Sequence, residues 1–308
     1  MTYIASAAVL GRPSLLGRTL GGLVLLVTVS ACETVPTGEL KSFSASLAAV
    51  QDANKPIFAD LALAETRATS NQPDPCPNLH QIAVPGGTPI RNGFCLSEAA
   101  TTASNTDPPD TAAFKAGMEV LQIYVGTLST LASGESSAET SAQLAMAANN
   151  LLAIGAALTG AIAPAVTGAI KVLAPLIDQA AAQLSKAEAR RLILTGNKQA
   201  HDVIAAERNA VPAIWDTVTA DWRHQLLHID PKDTAGAAAS RAKIETYRTI
   251  MSNYVVMLDR LDAAWTKTVT ATNSPQPETL AGLAALTEQL KAESDVLAKT
   301  FAELRAVK

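Results

Sequence analysis

Apolar residues recur at alternating intervals of three and four through most of the chain, the spacing that lines one face of an α-helix. From Glu39 the series runs Leu40, Phe43, Leu47, Val50, Ile57 and Leu61, with Asn54 in the missing core position. This heptad seam predicts a long helix bent at Pro56, in which Asn54 marks local register rather than a binding site. A second seam, Phe114, Met118, Leu121, Val125, Leu128 and Ala132, runs from Thr111 to Ser133, with Asp110 as its N-cap and Gly134 as its stop. Ser136-Ser137-Ala138-Glu139 then opens another helix in capping-box order, carried by Leu144, Leu151 and Leu158. Beyond Ile177 the chain turns polar at Asp178, Lys186, Glu188, Arg190 and Arg191. Helix is expected to continue from there through Gly196 and past a kink at Pro212, on Val203, Val211, Ile214, Val218 and Trp222.

Asp230-Pro231-Lys232-Asp233 makes a turn. The clearest seam follows from near Ser240: Ile244, Tyr247, Met251, Tyr254, Leu258, Leu261 and Trp265 alternate without a break. After Ser274-Pro275-Gln276-Pro277 a last helix carries Leu283, Leu286, Leu290, Leu297, Phe301 and Leu304. Long amphipathic helices joined by short proline turns lie antiparallel. The pattern therefore predicts an all-α fold, an elongated antiparallel bundle of about six or seven helices forming one domain over residues 39–308.

The stretch Leu151 to Ile177 departs from this amphipathic rule. Lys171 is its only charge, and its charge-free part has about the 20 residues a helix needs to cross a bilayer. Three glycines and the central Pro164 divide it into two shorter helices or one kinked helix. Small residues recur every fourth position at Ala157, Ala161, Ala165 and Ala169, beside Ala156, Gly160, Pro164 and Gly168, a strip that admits a close helix neighbour. One reading is a central helix buried on all sides. The other is a segment that inserts into a membrane, through Leu151, Ile154, Leu158, Ile162 and Ile170.

Residues 71–110 hold seven prolines and the pair Gly86-Gly87, and form a loop too long to be a mere connection. Within it, Gln81 to Val84 and Pro89 to Phe94 are set to form a small hairpin. Cys76 and Cys95 also lie in it. In an oxidising compartment they would form a disulfide worth about 3 kcal/mol. A metal site of Cys76, His80 and Cys95 would need reduced thiols and a fourth ligand.

At the amino terminus, Met1 to Ala31 carries Arg12 and Arg18, no acid, and an apolar run from Leu20 to Val29. These are the marks of a secretory leader. It ends in Val29-Ser30-Ala31-Cys32, and here the chain resembles the bacterial lipoprotein class. That resemblance implies cleavage after Ala31, lipid on Cys32, and a tether over residues 32–38. Three acyl chains would hold it to a membrane permanently. Glu33 is not the aspartate that typically retains such proteins at the inner membrane, so the expected place is the outer membrane, facing the periplasm.

The full chain has 24 basic and 28 acidic residues, a net charge of −4, and loss of the leader makes it more acidic. Without a basic cluster in sequence, no nucleic-acid partner is expected. Aromatics are only 4% of the chain, and alanine is abundant, which suits closely packed helices. Asp221, His224 and His228 fall on one helical face, with His224 and His228 at the four-residue spacing that can hold a metal. No HExxH pattern accompanies them, and histidines near a helix carboxyl end also answer the helix dipole. No nucleophile elbow or phosphate-binding glycine loop is present.

The sequence thus leads to a non-enzymatic, lipid-anchored envelope protein without a cofactor. It would serve as a scaffold or binding module for an envelope partner. Two alternatives stand beside it. The apolar segment between amphipathic helices gives a layout that resembles the α-helical pore-forming toxins, which implies membrane insertion. Asp221, His224 and His228 would instead make a metal-dependent enzyme.

Overall fold

Every long seam becomes a helix in the structure, a computed structural model that describes residues 35–70, 81–82, 90–91, 107–134, 137–157, 162–274 and 276–306. Cys32, Cys76, Cys95, Leu158 and Ala161 lie outside these. The described elements are α1 (Thr37–Ser70), β1 (Gln81–Ile82), β2 (Ile90–Arg91), α2 (Pro109–Ser133), α3 (Ala138–Ala157), α4 (Ala163–Gln183), α5 (Lys186–Thr195), α6 (Asn197–His228), α7 (Thr234–Asn273) and α8 (Pro277–Ala306). Apart from the two-residue antiparallel pair β1–β2, with Gln81 opposite Arg91 and Ile82 opposite Ile90, the described fold is helical. α1 packs most extensively on α8, α7 on α6 and α8, and α3 on α4; α2 lies against α1 and α5.

The seams supply the core. All seven positions of the α1 series, Asn54 included, are buried, and so are all seven of the α7 series from Ile244 to Trp265. Trp265 sits at the centre. Its ring lies 5.1 Å from Phe43 and edge-on to Tyr124 at 5.7 Å, while its indole N–H donates to Asn197 Oδ1 at 2.9 Å. The one polar atom of this large side chain is thereby satisfied inside the core.

Three local expectations need correction. Asp110 does not cap α2: the helix starts at Pro109, whose missing N–H costs nothing there. The free N–H groups of Asp110 and Thr111 are taken instead by the Glu65 carboxylate of α1, at 3.2 and 3.0 Å. At α3 the capping residue is Ser137, whose Oγ accepts from Thr140 N–H at 3.0 Å. Nor does one helix run through Gly196. The chain breaks at Leu184, held at φ 31°, and Ser185 Oγ accepts from Glu188 N–H to start α5. A second break follows at Gly196, where an added Cβ would lie 2.5 Å from the Tyr124 hydroxyl. Glycine is needed there because Tyr124 reaches across to donate to Leu192 O at 2.8 Å. By contrast α1 and α6 continue through Pro56 and Pro212.

The apolar stretch forms the two helices α3 and α4, and Pro164 falls in the first turn of α4. The helix α4 is not buried all round. Val166, Ala169, Ile170, Leu173, Ala174 and Ile177 face inward, whereas Pro164, Gly168, Lys171, Val172 and Pro175 are exposed. Of the small-residue strip, Gly168 has nothing within 4 Å of where a Cβ would stand. The close approach between the two helices occurs at Gly155, whose Cβ would be 3.3 Å from Ile170 Cδ1. Ser141 Oγ–H also donates to Ala181 O at 2.8 Å, tying the pair together near its base.

Candidate functional site: a basic pocket where the long helices end

The residues singled out in the sequence scatter. Leu151, Ile162 and Ile170 are buried in the core and Ile154 is half-buried. His224 and His228 lie with ring centroids 4.3 Å apart, tilted to each other, and are exposed, while Asp221 turns to Arg67, with Oδ2 3.5 Å from its Nη1. Among the described residues no group of three or more His, Cys, Asp or Glu side chains gathers to hold a metal. The physical reason is that sharing a helix face places three side chains near one another without making them converge on a point.

What converges instead is a set of residues from four helices. Where α1, α6 and α8 finish and α7 starts, Asp60, Leu63, Ala64 and Arg67 of α1, Val218 and Trp222 of α6, Lys243 of α7, and Leu304 and Arg305 of α8 line a half-open pocket of about 220 Å³. Three basic side chains thus line one small pocket in an acidic protein. Asp60 faces them. Burial raises its carboxyl above the usual range, and the attraction of Arg305, then of Arg67, opposes that rise without cancelling it. Beside Asp60 stands Tyr247, whose buried hydroxyl has no hydrogen-bond partner among the described residues. Burial first, and the Asp60 charge second, push its phenol well up. The ring of Trp222 meets Tyr247 edge-on at 5.6 Å, so the pocket wall is joined directly to the core seam.

Arg67 and Arg305 lie in the last turns of their helices, where the helix dipole favours a cation. Lys243 is different. It sits in the amino-terminal part of α7, where the dipole gives it no such support, and it makes no ion pair among the described residues.

A second polar cluster lies at the joint between the α3–α4 hairpin and the remaining helices. Glu207 of α6 is fully buried, and neither carboxyl oxygen has a partner among the described residues. One oxygen lies 2.5 Å from where a Cβ on Gly117 of α2 would stand, a place shared with Val166 of α4 at 3.4 Å. Burial raises the Glu207 pKa strongly. Tyr254 of α7 is raised by burial first and by Glu207 second, with Asn54 of α1 acting the other way. The sequence held a sign of this cluster: position 207 falls midway between the core residues Val203 and Val211, so an acid there had to enter the core. For the basic pocket no comparable sign exists, since its cations come from distant seams and each alone reads as a solvated surface charge.

Two other grooves are more open. One between α1 and α2, about 650 Å³, is lined by Lys55 and Lys115, which already pair with Asp52 and Asp107. Another between α6 and α7, about 490 Å³, includes Arg208, paired to Asp259, and Trp215, with the Arg248 guanidinium 5.5 Å above its ring. Their charges are largely neutralised in place. Compared with protein families, with curated proteins and with solved structures, the chain matches none.

Proposed function

We propose that the protein is a lipid-anchored binding module of the cell envelope, held through Cys32 at the periplasmic face of the outer membrane and acting without catalysis. The observation that carries the binding role is the gathering of Arg67, Lys243 and Arg305 around one half-open pocket whose lining mixes polar and apolar residues, an arrangement suited to hold a ligand. The tether rests on the leader and on Val29-Ser30-Ala31-Cys32. An antiparallel and elongated bundle fits the rest: short turns reverse the chain between long packed helices, and the 40 residues of α7 span about 60 Å. Cys76 and Cys95, which flank β1 and β2 in sequence, form the disulfide that staples the loop. Metabolic labelling with a radioactive fatty acid tests the anchor. Wild-type protein should carry label in the membrane fraction, and label persisting in Cys32→Ser would refute it.

A second reading, membrane insertion by the α3–α4 hairpin, is favoured by one observation. Ala163–Gln183 is long and apolar enough to cross a membrane by length and composition, and less than half of its most apolar window, 44%, is buried. Met146, Leu152 and Val172 leave further apolar surface on the hairpin exposed. Vesicles loaded with dye decide it. Leakage that Val172→Asp abolishes would support insertion, and intact vesicles over a range of lipid compositions would remove it.

A further inference from the structure

We infer that the basic pocket takes a phosphate-type oxyanion, as inorganic phosphate or as the head of a small phosphate monoester. This inference rests on the binding-module reading and names its ligand. Three cations from α1, α7 and α8 surround a single carboxylate, Asp60, in a space of about 220 Å³. A carboxylate ligand would be satisfied by one arginine fork. A phosphate monoester carries nearly two charges and three acceptor oxygens at neutral pH, and so calls for several donors approaching from different sides. Arg67 and Arg305 supply planar forks and Lys243 a point charge, the two kinds of donor that phosphate sites combine.

The competing carboxylates do not block this. The ion pair of Asp221 with Arg67, at 3.5 Å, is exposed, and such exposed pairs are weak. Asp60 is the one carboxylate of the described lining and stands against three basic side chains, so the lining keeps a positive balance. The buried Tyr247 hydroxyl stands behind it with its donor unused among the described residues. The apolar remainder of the lining, Leu63, Val218, Leu304 and the face of Trp222, would receive a short organic body attached to the phosphate.

The experiment is a titration of the full chain in neutral detergent, followed by the indole N–H resonance of Trp222 in protein carrying ¹⁵N-tryptophan. Inorganic phosphate, glycerol 3-phosphate, and phosphatidylcholine vesicles with and without phosphatidic acid are added in separate arms. Expected is a saturable shift with inorganic phosphate or glycerol 3-phosphate. Affinity should fall at least tenfold in Lys243→Ala and in Arg305→Ala, and stay unchanged in Lys267→Ala on the same helix as Lys243. A shift only with vesicles holding phosphatidic acid, lost in the same two variants, assigns the same chemistry to a lipid headgroup. If phosphates leave Trp222 unmoved while citrate or another carboxylate shifts it, the phosphate assignment is wrong and the pocket remains a binding site. If no anion moves it, the binding-module reading falls as well.

Discussion

The long helix α7 and the hairpin helix α4 reverse what their compositions lead one to expect. α7 mixes charged and apolar residues evenly, yet from Ile244 onward it buries a continuous seam that includes Tyr247, Tyr254, Leu258, Leu261 and Trp265. α4 is the most membrane-like helix in composition, yet one whole side of it faces solvent. Burial follows from where apolar residues stand and how much they fill, not from how many there are. The α7 seam carries large side chains that interlock with α1, α6 and α8, whereas α4 carries mainly alanine, valine and isoleucine, of which only one stripe meets a neighbour.

The largest expected effect lies in the α7 seam. Trp265→Ala removes the ring that joins Phe43 and Tyr124 and should destabilise by about 3–5 kcal/mol. Urea unfolding measures it, and a loss under 1 kcal/mol would mean that the central seam is not what holds these helices together. Next comes the joint with the hairpin. In Gly117→Ala the new Cβ would meet the fully buried Glu207 carboxyl, and the cost should be about 1–3 kcal/mol. Because Val166 flanks the same spot, hydrogen exchange in α4 should rise in this variant while exchange in α7 stays slow.

The third test is one of pH. Folding binds the Glu207 proton more tightly than the unfolded chain does, because burial disfavours the carboxylate. Stability contributed through this group is therefore complete below the ordinary glutamate range and falls as pH rises from there towards the raised folded value. Within that window the slope is about 1.4 kcal/mol per pH unit. Glu207→Gln cannot ionise and should flatten the profile above the ordinary glutamate range; equal slopes for the two proteins would show that Glu207 does not titrate with folding. The smallest effect is a control on the same helix as Gly117. Gly126 is exposed with nothing within 4 Å, so Gly126→Ala should stabilise by up to about 1 kcal/mol through helix propensity alone.

The seams of α1, α2, α7 and α8 were legible because amphipathic spacing is a local property, written wherever a helix has one wet side. Asn54 was legible as a core position for the same reason. The end caps were harder. Asp110 has the right chemistry for an N-cap, but Glu65, far away in sequence, holds the amides it was expected to hold. Gly196 reads as one tolerated glycine in a helix until Tyr124, from another element, is seen to occupy the space a side chain would need.

By itself the sequence determined the helical fold and the residues of each seam. Both depend on neighbours within a few turns. Only the tertiary structure decided that one side of α4 is exposed, that Glu207 is buried without a hydrogen-bond partner among the described residues, and that Arg67, Lys243 and Arg305 share a pocket. These depend on which helix lies beside which, and the spacing within a seam says which face is buried without saying what is buried against it.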